Sequence, residues 1–135
     1  MNRALTDRYV VDTRALVWFL AGDPRLSLEA RRVLRSAQAD EVIVLVSTIV
    51  LAEVLYIAEK KRVPVDFPEL LNRMRGGGGY QIVDFDLAVL LEMRNLPQAL
   101  ELHDRALAAT ALVYDAALIT KDRELQKLDR PQVVW

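Results

Sequence analysis

The chain has 135 residues, 53% of them hydrophobic and 27% charged, enough to bury a substantial core in a single domain spanning residues 1–135. With no cysteine and one histidine, disulfide scaffolding, thiolate chemistry and the usual His/Cys zinc sites are excluded, so any metal must be held by oxygen. A formal net charge of −1 gives the chain no overall pull on nucleic acid and leaves only local basic clusters: Arg31 with Arg32, Lys60 to Arg62, Arg73 with Arg75, and Lys121 with Arg123.

The opening segment MNRALTDRYVV lacks the apolar run of a signal peptide, and no stretch reaches the roughly 18 apolar residues of a membrane span. A cytoplasmic location is the expectation. Arg8 to Asp12, RYVVD, reads as a short buried strand closed by an aspartate, and Thr13 to Ala21 as a helix stopped by Gly22-Asp23-Pro24. Ser27 caps a second helix over Glu29 to Gln38, with an apolar stripe of Ala30, Val33, Leu34 and Ala37. Val42 to Val46, VIVLV, is apolar throughout, as expected of a strand covered on both faces of a parallel sheet. Ser47 or Thr48 then caps a helix running to about Lys61.

That helix holds the most anomalous residue of the sequence. Glu53 has Ile49, Val50, Tyr56 and Ile57 three and four positions away, so it projects from an apolar face. An unpaired ionised carboxylate there costs several kcal/mol, which requires it to be protonated, ion-paired or bound to a cation.

Val63-Pro64-Val65 breaks the chain before a helix over Phe67 to Met74. Gly76 to Gly79 reads as a flexible connector, since the lysine and hydroxyl of a phosphate-binding loop are missing. Tyr80 to Phe85 is a strand, and Asp86 caps a helix over Leu87 to Asn95. Beyond Pro97 come a helix over Asp104 to Tyr114, whose Ala106, Ala108, Ala109 and Ala111 allow close approach to a sheet, a strand over Ala117 to Thr120, a short amphipathic turn over Asp122 to Leu128, and a last strand over Gln132 to Trp135. Strands alternating with helices along the whole chain indicate an α/β class fold, a three-layer α/β/α sandwich with a mainly parallel central sheet.

In such sheets ligands bind outside the carboxyl ends of the strands, where the strand order reverses. Asp12 and Asp122 follow strands and suit that position. Asp104 opens a helix and fits either chemistry or a plain N-cap. If right-handed crossovers bring Asp12, Glu53, Asp104 and Asp122 into one cleft, their mutual repulsion calls for a cation, and an all-oxygen site suits Mg²⁺ or Mn²⁺. Such an ion activates water and neutralises charge in phosphodiester hydrolysis.

The segments VVDTRALVWFLAGDPRLS, VSTIVLAEVLYIAEK and HDRALAATALVYDAALITKDREL, taken together at this length, resemble the PIN-domain ribonucleases, and within them the toxin half of VapBC toxin–antitoxin pairs. The resemblance covers nearly the whole chain. It implies a metal-dependent endoribonuclease that leaves a 5′-phosphate and a 3′-hydroxyl, with acidic positions at Asp12, Glu53, Asp104 and Asp122, and Thr13 and Thr120 as hydroxyl neighbours that orient a carboxylate or a water. It also implies a homodimer and a small antitoxin lying in a groove beside the site, which leftover apolar surface around Trp18, Phe19, Leu51, Leu55 and Tyr56 would suit. The short approach QALELHDR and the glycine run depart from the family pattern.

His103 reads as a solvated or capping residue, Glu101 and Asp115 as surface acids, and Arg105 as an ion-pair partner of the acids. Arg14, Lys121 and Arg123 are left as candidates for a phosphate contact. The alternative function is a PIN-type protein that binds RNA or regulates without cutting. A phosphoaspartate receiver lacks its acceptor after Val42 to Val46, and a haloacid-dehalogenase phosphatase would need an aspartate where Arg14 stands.

Overall fold

The computed structural model describes residues 7–61 and 63–135; residues 1–6, part of the opening segment read above for a signal peptide, and Arg62 of the basic cluster lie outside them. In chain order the elements are β1 (Arg8–Val11), α1 (Thr13–Ala21), α2 (Leu28–Gln38), β2 (Ile43–Ser47), α3 (Thr48–Glu59), α4 (Phe67–Arg75), β3 (Tyr80–Val83), α5 (Leu87–Met93), α6 (Leu102–Val113), β4 (Ala117–Ile119), α7 (Arg123–Gln126) and β5 (Val133–Val134). The strands form one sheet in the order β3-β2-β1-β4-β5, and every pairing is parallel. The expected α/β/α sandwich is therefore present.

The chain steps from β1 to β2 to β3 in one direction across the sheet, then returns to β4 and continues to β5 in the other. Right-handed crossovers accordingly place α1–α4 on one face and α5–α6 on the opposite one. The packing agrees, with α1 against α2 and α3, α3 against α4, and α5 against α6. The reversal falls between β1 and β4, whose register sets Val10 beside Leu118 and Val11 beside Ile119.

Val10, Val11, Val44, Val46, Leu118 and Ile119 are fully buried, which is why these strands read as continuous apolar runs. Each such side chain contributes on the order of 1.5–3 kcal/mol relative to exposure. The alanines of α6 let that helix approach closely: Ala106, Ala108, Ala109 and Ala111 have no exposed surface, and α6 packs on β1 and β4.

Two expectations are corrected. The glycine run is no slack connector, because Gly79 N donates to Ala37 O at 3.0 Å and Gly79 O accepts from Val44 N at 2.7 Å. A β-carbon on Gly79 would stand 2.2 Å from Val42 O and 2.6 Å from Ala37 O, so the backbone of β3 can meet α2 only where no side chain exists. The helix expected to open at Asp104 opens instead at Leu102, with Glu101 as N-cap accepting from His103 N.

Of the apolar surface noted around the early helices, Leu51 is buried and Trp18 and Phe19 pack partly against the core, while Leu55 and Tyr56 remain exposed. A larger exposed set, absent from the sequence reading, lies on and near α5: Phe85, Leu87, Leu90 and Leu91, together with Leu102 at the start of α6. Among the described residues no helix is long and apolar enough to cross a membrane.

Candidate active site

The carboxyl ends of β1 and β4 open into a cleft of about 460 Å³ whose walls include Asp12, Thr13, Glu53, Glu101, His103, Asp104 and Asp122, with Val17, Trp18, Ile57 and Leu107 as apolar lining. All four acids singled out from the sequence thus face one cleft. Their local settings differ.

Asp12 follows β1 directly and is the N-cap of α1, its Oδ1 accepting from Ala15 N at 2.7 Å. One oxygen is thereby committed to the helix, and the Thr120 hydroxyl also bonds this carboxylate. Burial raises the pKa of Asp12; the Thr120 hydroxyl, the Ala15 N–H and the Arg14 charge oppose that rise, and Asp122 adds to it. Asp122 is built the same way. It caps α7, its Oδ1 accepting from Glu124 N at 2.8 Å and Leu125 N at 3.2 Å, while its own N–H donates to Thr120 Oγ1 at 3.1 Å. Thr120, fully buried after β4, is the hydroxyl between the two aspartates.

Asp104 lies in the first turn of α6, not at its cap. Burial pushes its pKa up to about 7, reinforced by a hydrogen bond to the Asp122 carboxyl and by the charges of Asp122, Glu101 and Asp12. A cation between the two carboxyl groups would relieve the same repulsion.

Glu53 belongs to the cleft but not to that triad. Its Oε1 accepts from Thr13 Oγ1 at 2.5 Å, and its Oε2 lies 3.8 Å from His103 Nδ1. The side chain is 34% exposed, so the anomaly seen in the sequence is resolved by a hydroxyl partner and by solvent at the cleft mouth. Thr13 thus orients one carboxylate and Thr120 stands between two others.

Two residues set aside in the sequence reading turn out to line the cleft. His103 is 3.4 Å from Glu101 Oε2 as well as close to Glu53, and Glu101 is both the cap of α6 and a wall of the site. The signal was the Glu-Leu-His-Asp spacing, which sets Glu101 and Asp104 three residues apart. Asp115 is exposed, as expected. Arg105 does not balance the acids: its Nε donates to Met93 O at 2.9 Å and an Nη to Leu96 O at 3.3 Å, which fastens the α5–α6 connection.

The donor set is entirely hard oxygen, which suits Mg²⁺ or Mn²⁺. Among the described residues no three His, Asp or Glu side chains are drawn together closely enough to enclose an ion by themselves.

The model of the PIN domain family matches residues 9–131. The chain belongs to the PIN domain family. It is 28% identical over 130 residues to Ribonuclease VapC22 of Mycobacterium tuberculosis (strain ATCC 25618 / H37Rv), a match covering 93% of this chain and 97% of that protein. Its fold is similar to VapBC2 from Rickettsia felis, solved bound to a DNA fragment from their promoter, with a TM-score of 0.72 at 18% identity over 94% of this chain and 97% of that one. A toxin–antitoxin complex from Klebsiella pneumoniae gives a TM-score of 0.66 at 24% identity over 94% and 96% of the two chains. This PIN-domain chain is VapC-like in fold and sequence.

Proposed function

We propose that this PIN-domain protein is a metal-dependent endoribonuclease and the toxin of a type II toxin–antitoxin pair. The observation that carries the reading is the crowding of Asp12, Asp104 and Asp122 at the reversal between β1 and β4, severe enough to push Asp104 to about 7. A fold gains nothing in stability from such crowding, and perturbed acids in a cleft mark functional sites. The ribonuclease character is supported by the likeness to VapC22, and the antitoxin partner by the complexes that share the fold.

In this reading Asp12, Asp104 and Asp122 would hold Mg²⁺ or Mn²⁺ partly through its own waters, with Glu53 completing the acidic wall. The bound ion supplies Lewis-acid activation of water and neutralises the phosphate charge. The chain's own contribution is to fix those acids: α1 and α7 clamp one oxygen of Asp12 and one of Asp122, and Thr13 holds Glu53 Oε1 while His103 stands beside its Oε2. In-line attack then leaves a 5′-phosphate and a 3′-hydroxyl. The exposed apolar residues of α5, with Leu102, suit a homodimer contact, and Leu55 and Tyr56 suit the antitoxin.

The test is RNA cleavage with Mg²⁺ or Mn²⁺ by the wild type, Asp12→Asn and Asp104→Asn. Loss of cleavage in both variants is expected; equal activity in all three proteins ends the proposal.

A further inference from the structure

The basic residues of this slightly acidic chain are not scattered evenly. Trp18, on the cleft wall, gathers three of them: the Arg25 guanidinium lies 4.7 Å from its ring centre, Lys121 Nζ 5.6 Å and the Arg14 guanidinium 5.8 Å. Trp135 packs beside the same ring at 6.1 Å between centroids, tilted by 56°. Among the described residues neither Arg14, whose charge reaches Asp12, nor Lys121 lies within ion-pair distance of a carboxylate, whereas Arg25 is paired with Asp23.

The positive charge continues outward. Arg31 donates to Asp23 O at 3.0 Å, which ties α2 to the Arg25 turn. Beyond it a second groove, of about 300 Å³, is lined by Arg31, Arg32 and Arg35 with Leu28, Ser36 and Glu41. Arg32 is neutralised by Glu29, but among the described residues neither Arg31, whose charge is felt by Asp23, nor Arg35 lies within ion-pair distance of a carboxylate. A line of cations therefore leaves an acidic cleft across an aromatic ring and along one helix.

We propose that this line is the path of a single-stranded RNA, with a base next to the scissile phosphate stacked on Trp18 and successive phosphates held first by Arg14 and Lys121, then by Arg31 and Arg35. The proposal rests on the RNA reading of the cleft and adds where the strand lies. The physics favours it on two counts. Aromatic faces stack any base, and a ring already flanked by cations lets their flexible stems turn to the phosphates without moving the ring. A cleft of carboxylates repels a polyanion, so the strand needs cations immediately outside the site. Stacking also selects unpaired RNA, because a base in a duplex has no free face.

Trp18 and Trp135 are the two tryptophans of the chain, so in a Trp135→Phe background the intrinsic fluorescence reports Trp18 alone. Metal-free protein in EDTA is titrated with a single-stranded RNA of about 12 nucleotides, a duplex of equal charge, and an acidic peptide of equal charge. Saturable quenching by the single strand, and by neither other probe, is expected. Trp18→Leu should weaken the single strand by about 5- to 100-fold. Arg31→Ala combined with Arg35→Ala, both on the surface of α2, should lower the slope of log affinity against log salt by about 1.4, two cations at roughly 0.7 each, while leaving the affinity for a trinucleotide unchanged.

An absence of quenching by RNA, quenching by the peptide instead, or an unchanged salt slope in the double variant overturns the path. Metal-dependent cleavage of the same RNA is scored separately. Cleavage without quenching sinks the path and leaves the nuclease; quenching without cleavage keeps the path and sinks the nuclease.

Discussion

Replacing Asp104 by Asn should stabilise the metal-free protein while abolishing its activity. Burial, the hydrogen-bonded Asp122 and the neighbouring acids push Asp104 from 3.8 to about 7. Between those values the folded protein keeps a proton that the unfolded chain has lost, so wild-type stability declines as pH rises from about 4 to 7 and levels off above. A shift of about 3 units at about 1.36 kcal/mol each sets an upper bound near 4 kcal/mol. Solvent at the open cleft screens much of that, leaving about 1–2 kcal/mol. Asn also gives up an acidic position in the first turn of α6, a loss of roughly 0.5 kcal/mol. The net gain at pH 8 is about 1 kcal/mol, or about 3–5 °C in Tm for a chain of this size. At pH 5 only about a third of that interval has been crossed, so the gap between variant and wild type should shrink to a few tenths of a kcal/mol. Thermal unfolding in EDTA at pH 5 and pH 8 checks this. A variant that melts no higher than wild type at pH 8, or that gains equally at both pH values, refutes the account of crowded acids.

Other perturbations read out different parts of the structure. Mg²⁺ should raise the wild-type Tm at pH 8 and do so less at pH 5, where protons compete for the carboxylates, and Asp104→Asn should lose most of that response in the same scans. Thr13→Val removes the hydroxyl that holds Glu53 Oε1, so single-turnover RNA cleavage should fall about 10- to 100-fold and Thr13→Ser should restore it. Gly79→Ala forces a β-carbon against backbone atoms of Val42 and Ala37 that have nowhere to retreat, and should cost about 3 kcal/mol or more in urea denaturation. Gly77→Ala, strained in φ but facing open space, should cost only about 1 kcal/mol. Arg105→Ala leaves two backbone carbonyls without their donor and should lower stability by about 1–3 kcal/mol, while per-molecule RNA cleavage below the melting range stays intact.

Local chemistry alone made much of this protein readable. Continuous apolar runs and period-3.6 stripes placed every strand and helix among the described residues to within a few positions, because β1, β2 and β4 are covered on both faces and α2 on one. Asp12 and Asp122 were visible for the same reason: each ends a strand and begins a helix, and the capping bonds that the residue type predicts are present. The start of α6 was placed two residues late, at Asp104, because Asp is the commoner residue at a helix start and Glu101 the rarer one, and local propensity cannot rank two acids three residues apart.

The remaining features lie between elements. The approach of Asp104 to Asp122, the Thr13 hydroxyl under Glu53, the backbone contact that forbids a side chain at Gly79, and the cations assembled on Trp18 all join residues that share no helix turn or strand register. A linear pattern records which face of an element is buried, since burial is repeated along that element. It holds no record of which single side chain meets another across a crossover, since that distance is set by the packing of the whole sheet.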